Sequence, residues 1–163
     1  MGYDVEVKWN DPAPIAVVRR RAAQRDFSVV VPAACGEVWA ALKAARVENP
    51  GRHVAVYYPG DGLDDRIPIE VGAEVSQPFA GAGPVVGSAT PGGTVATTTH
   101  MGPYGRLGDA HSAILAWCAA NQRVPEGTNW EIYGHWDDDW TDDPARIRTD
   151  VVYLLRDDAG PAA

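Results

Sequence analysis

Polar and apolar residues alternate at the start of the chain, with Tyr3, Val5, Val7 and Trp9 set against Asp4, Glu6 and Lys8. Side chains that change face at every residue make a half-buried strand. Asn10-Asp11-Pro12-Ala13-Pro14 reads as a turn, and Ile15 to about Arg21 as a second strand. Pro32 suits the first position of a helix, whose apolar stripe is Cys35, Val38, Ala41, Leu42 and Ala45. Asn49-Pro50-Gly51 ends that helix. His53 to Tyr58 and Ile67 to Val75 are two further strands, parted by Pro59-Gly60-Asp61-Gly62. Residues 76–93 are rich in Gly, Pro, Ser and Ala and read as a linker. Its Gly81-Ala82-Gly83 is followed by Pro84 and no helix, so it is not a phosphate-binding loop.

The order then returns. Thr94 to Thr99 is a strand. A helix from about Arg106 to Asn121 turns Leu107, Ala110, Ile114, Trp117 and Cys118 inward. Trp130 to Trp136 and Arg148 to Leu155 are the last two strands. Trp39 and Trp117 lie 78 positions apart, and so do Val17 and Val95. An internal duplication of a strand-helix-strand-strand unit explains this order, with repeat one over about 3–75 and repeat two over about 94–155. The expected class is α+β. The two repeats join their strands in one antiparallel sheet with both helices on one face, and a pseudo-twofold ligand groove lies between the halves of a single domain, 1–163.

Composition narrows the partners. The 163 residues carry a net charge of −8. That disfavours a nucleic acid partner and mildly favours a cationic ligand. Arg19-Arg20-Arg21 opposes this, but on a strand the three side chains alternate between faces. No apolar run approaches the roughly 18 residues of a membrane span. The N-terminus has no signal-peptide pattern. Two cysteines, Cys35 and Cys118, make no disulfide framework and suit the cytoplasm. His53, His100, His111 and His135 show no metal-ligand spacing, so neither a metal nor a cofactor is expected. Asp137-Asp138-Asp139 and Asp142-Asp143 lack the glycine and glutamate of a calcium loop and read as a solvated acidic turn. No Gly-x-Ser-x-Gly elbow is present.

One residue resists the pattern. Glu131 sits in the aromatic strand Asn129-Trp130-Glu131-Ile132-Tyr133-Gly134-His135-Trp136. A carboxylate in an apolar wall costs several kcal/mol unless something compensates for the lost water. Either an arginine across the sheet pairs with it, or the compensating group arrives as a ligand. By alternation Glu131, Tyr133 and His135 share one face, while Trp130, Ile132 and Trp136 share the other. That makes Trp130 a packing residue.

Four features together resemble the GyrI-like effector-binding family. They are the duplicated unit, His100-Met101-Gly102-Pro103-Tyr104, the helix ending around Ala116-Trp117, and the Trp130-Glu131-Ile132-Tyr133 strand. The resemblance implies a groove for bulky aromatic, often cationic compounds, with Glu131 as the acidic anchor. Trp39 at a helix edge, one of Tyr57 and Tyr58, Tyr104 at a strand-to-helix turn, Tyr133, Tyr153 and His135 are candidate walls, with Tyr57 taken for the first pair. Phe79 in the linker is a weaker candidate cover. Some family members are similar to hydrolases that open the strained cyclopropane ring of DNA-alkylating natural products. In that alternative Glu131 acts as general base, and Tyr104 or Tyr133 donates to the carbonyl that accepts charge. The family pattern there pairs Glu131 with Trp130, which the alternation of faces opposes. A third possibility, DNA mimicry by an acidic protein, is disfavoured because the acidic charge is concentrated in one loop.

Overall fold

The structure is a computed structural model that describes residues 2–135 and 137–156. It is α+β, and all its strand pairings are antiparallel. The contacts divide the chain into two compact units, residues 12–91 and residues 1–11 with 92–163.

In the unit of residues 12–91, β2 (Pro14–Ala23), β3 (His53–Tyr57), β4 (Arg66–Glu74) and β5 (Val86–Ala89) make a sheet in the order β5-β2-β4-β3. The helix α1 (Phe27–Ala44) covers β2 and β4 through Val31, Ala34, Val38 and Leu42. It starts five residues before Pro32, so this proline lies inside the helix rather than at its first position. A proline there leaves the carbonyl of Ser28 without its donor. Ser28 is exposed, so water can take that place. With the turn before it, α1 is long and apolar enough by composition to cross a membrane. It lies instead along β2 and β4.

Part of the expected linker is structured. Val86–Ala89 pairs with β2, and Gly87 lies so close to Phe79 that a Cβ would come within 2.2 Å of the Phe79 carbonyl oxygen. The glycines that suggested a loose connection include one required for close packing. Each of the three arginines has an acidic partner: Arg19 has Glu70, Arg20 has Glu37, and Arg21 has Asp61 and Asp64.

In the other unit, β1 (Glu6–Asn10), β6 (Gly93–Met101), β7 (Pro125–Tyr133) and β8 (Arg148–Leu155) follow the order β1-β6-β8-β7. The helix α2 (Leu107–Ala120) packs on β6 and β8 with Ala110, Ile114 and Cys118 buried, as its sequence stripe predicts. A short helix, α3 (Asp139–Asp142), lies in the acidic turn.

The two units repeat one pattern, but not in the expected register. Val71 pairs with Val18 and Ala55, and Val151 pairs with Thr98 and Glu131. The β2–β4 and β6–β8 ladders therefore repeat at 80 positions (98 − 18 and 151 − 71), and β3 corresponds to β7 at 76 (131 − 55). The buried helix positions Ala34 and Val38 match Ile114 and Cys118 at the interval of 80. Trp39 then corresponds to Ala119, and Trp117 to Glu37. The two tryptophans are not equivalent, and Trp39 is 43% exposed while Trp117 packs against the core. Strand pairing and helix burial fix the register, and a 78-residue coincidence of residue type does not.

Candidate functional site

Glu131 lies on β7 and is 7% exposed. Its compensating groups are in the sequence. Tyr133, two residues on and so on the same face, donates its hydroxyl to Glu131 Oε1 at 2.6 Å. His111 on α2 brings Nε2 to Glu131 Oε2, also at 2.6 Å. The other ring nitrogen, Nδ1, lies 2.7 Å from the Tyr153 hydroxyl on β8. An ionised carboxylate only accepts, so Nε2 carries the proton and Nδ1 of a neutral imidazole accepts from Tyr153. The result is a chain, Tyr153 to His111 to Glu131, with Tyr133 closing the far side. Hydrogen bonds of this length offset the cost of taking a carboxylate out of water. Glu131 is therefore satisfied before any ligand arrives.

The surroundings are aromatic. Tyr104 lies in the short turn before α2 and meets Tyr133 edge to face, with centroids 5.8 Å apart and planes at 88°. His111 meets Tyr153 in the same way at 5.5 Å and 74°. Tyr104 is 43% exposed, so the cluster runs from solvent to a buried carboxylate. Burial, helped by the negative charge of Glu131, pushes the Tyr153 hydroxyl up to about 12. It stays a neutral donor across the physiological range.

The repeat supplies an internal control. At the positions of Glu131, His111 and Tyr153 the other unit has Ala55, Val31 and Ala73, all buried. The same local fold is thus built there without the polar chain. The opposite holds on the other face of the sheet. Glu70 and Asp150 correspond, and each holds its cross-strand neighbour, Arg19 or Thr99. Those acids are part of the sheet, whereas Glu131 is an addition to it.

The sequence of residues 3–156 matches the GyrI-like small molecule binding domain. The chain belongs to that family. No curated protein matches it in sequence. Among solved structures, this GyrI-like domain is similar to the EcmrR C-terminal domain, with 19% identity and a TM-score of 0.71 over 96% of this chain and 99% of that one. In a complex of EcmrR with DNA it covers 57% of the relative, so the larger protein has a further part. It is also similar to SAV2435 bound to tetraphenylphosphonium, with 9% identity and a TM-score of 0.66 over 96% of this chain and 95% of that one. A hydrolase from Listeria innocua matches at 10% identity and a TM-score of 0.58, over 95% of this chain and 93% of that one. At these identities the likenesses establish the fold.

Of the candidates read from the sequence, Glu131, Tyr133, Tyr104 and Tyr153 come together within one unit of this GyrI-like domain. His135 lies beyond the end of β7, is exposed, and is not part of the hydrogen-bonded set. Trp39 and Tyr57 belong to the other unit. There Trp39 meets His53 edge-on, and Tyr57 is buried against Phe27 at 4.8 Å. Tyr58 instead donates to Glu70. Trp130 is 1% exposed, the packing residue that alternation implied, and Trp136 lies outside the described residues. Sequence reasoning missed His111. Metal-ligand spacing does not single it out, but it falls on the same helical stripe as Leu107, Ile114 and Cys118. Among the described residues, no His, Cys, Asp and Glu side chains gather in a metal-binding group.

Proposed function

We propose that this domain binds bulky aromatic, preferably cationic, small molecules, with Glu131 as the anionic anchor and Tyr104, Tyr133 and Tyr153 as the aromatic surround. The observation that carries the proposal is the comparison of the two units. A buried carboxylate, a histidine and a tyrosine (Glu131, His111 and Tyr153) stand where the sister unit has Ala55, Val31 and Ala73, while Tyr133, matched there by Tyr57, bonds to that carboxylate. A preformed anion beside ring faces attracts an organic cation through Coulomb and cation–π terms, while ring contact tolerates many shapes. A relative bound to tetraphenylphosphonium supports this ligand class. The partner is a small molecule rather than nucleic acid, in keeping with a net charge of −8. The setting is the cytoplasm, in keeping with two free thiols.

The hydrogen-bonded chain also favours a second reading, hydrolysis of strained cyclopropanes with Glu131 as base. Binding is the better reading, because both oxygens of Glu131 already accept a bond and Tyr133 already spends its proton on one of them. Two incubations separate the readings. Saturable binding of tetraphenylphosphonium, with no product from a cyclopropane-bearing alkylator, is the expected result. Ring-opened product at more than one turnover per protein would establish the enzyme.

A further inference from the structure

We propose that His111 decides whether the site accepts a cation, so that a proton and a cationic ligand compete for the same carboxylate. This inference rests on the binding role of Glu131 proposed above. With His111 neutral, the set of Glu131, His111, Tyr133 and Tyr153 carries one negative charge. With His111 protonated, imidazolium and carboxylate form an ion pair at 2.6 Å and the set is neutral. The second proton enters without moving a heavy atom. Nδ1 then donates to Tyr153, whose hydroxyl can accept as readily as it donates. Both states keep every bond of the chain, and only the charge offered to a ligand changes. The sister unit has Val31 at this place, so the packing of a helix on a sheet does not call for an imidazole here.

The other charged groups nearby are already committed. On α2 and the turn before it, Asp109 is held by Arg106 at 2.6 Å. On β6, His100 lies between the Tyr3 hydroxyl and the Pro103 carbonyl. On β8, Arg148 and Asp150 pair with each other on the far face of the sheet. Cys118, further along α2, is held neutral by burial, which pushes its thiol up. Glu131, Tyr133 and Tyr153 are the groups whose state follows that of His111. Linkage makes the effect reciprocal, so the cation that is repelled by the added proton must also repel that proton.

The test measures tetraphenylphosphonium and uncharged triphenylphosphine oxide against the full chain between pH 5.5 and pH 8. One proton taken up by the His111–Glu131 pair should make the cation bind several-fold more weakly at the acid end of this range than at pH 8. The neutral compound should bind equally throughout. His111→Gln, which does not titrate, should flatten the phosphonium curve. If that variant does not fold, the His111 ring signals of the wild-type protein serve instead, and saturating phosphonium should move their titration to lower pH. Phosphonium binding that is equal at both pH values, a slope that persists in His111→Gln, or ring signals that ignore the ligand would each overturn the inference and leave the binding site standing. No phosphonium binding at pH 8 would remove the site itself and the inference with it.

Discussion

A buried side chain keeps the protonation state that its surroundings allow. The thiol of Cys35 is pushed up to about 11 by burial. A helix beginning at Pro32 would have put Cys35 in its first turn, where a thiol can be activated. The helix starts earlier, so Cys35 lies in its third turn, away from that end. At pH 8 its thiolate fraction is about a hundredfold below that of a thiol at 9. Aromatic disulfide reagents should therefore label Cys35 about a hundredfold more slowly than an exposed cysteine peptide, and rapid labelling would show that the helix end still governs it. Tyr153 gives a stability prediction. The unfolded state loses this proton near 10 and the folded state near 12. Above pH 10 the unfolded state binds fewer protons, so stability falls as pH rises through that window. The term is at most about 2–3 kcal/mol, and Tyr153→Phe should remove it. Denaturant midpoints of both proteins at pH 9 and pH 11 check this, and an identical loss in the two would refute it. At this scale the sequence showed Glu131 and Tyr133 on one face, because alternation along a strand is strict. It could not show that a histidine twenty residues earlier meets the carboxylate, because only tertiary packing joins α2 to β7.

Elements carry their own signals of fit. Seven of the eight strands and both long helices were legible from periodicity, with the helix start ahead of Pro32 and the strand β5 inside the glycine-rich stretch 76–93 as the exceptions. Both were missed for the same reason. Proline and glycine are punctuation in an isolated chain, but packing can retain proline within a helix and can demand glycine within a sheet. Gly72 on β4 and Gly36 on α1 make a matched pair of tests. A Cβ on Gly72 would stand 1.8 Å from the Ala16 carbonyl oxygen, so Gly72→Ala must part β2 from β4. The expected cost is on the order of 3 kcal/mol or more. Nothing lies within 4 Å of a Cβ on Gly36 in α1. Gly36→Ala should stabilise by about 0.5–1 kcal/mol through helix propensity. Chemical denaturation of the two variants reads both, and a neutral Gly72→Ala would mean that the two strands pack less closely than described.

For the whole molecule, duplication explains the fold and its breach explains the site. The family's fold was readable because the element order recurs. The register was not, because a chance tryptophan match outweighed buried positions that only the ladders reveal. Once the ladders set the register, the other unit has Ala73, Val31 and Ala55 at the places of Tyr153, His111 and Glu131. The difference between the units is that polar set, bonded by Tyr133, a tyrosine that the other unit matches with Tyr57. The central claim is that this difference exists to hold a cation. Calorimetric titration of tetraphenylphosphonium and triphenylphosphine oxide into the wild-type protein and Glu131→Gln at pH 8 tests it most directly. Loss of a charge-assisted contact in a largely buried site should weaken the phosphonium by about 1–3 kcal/mol and leave the neutral oxide nearly unchanged. Equal losses for both compounds, together with a lower melting temperature, would show that Glu131 holds the fold rather than the ligand.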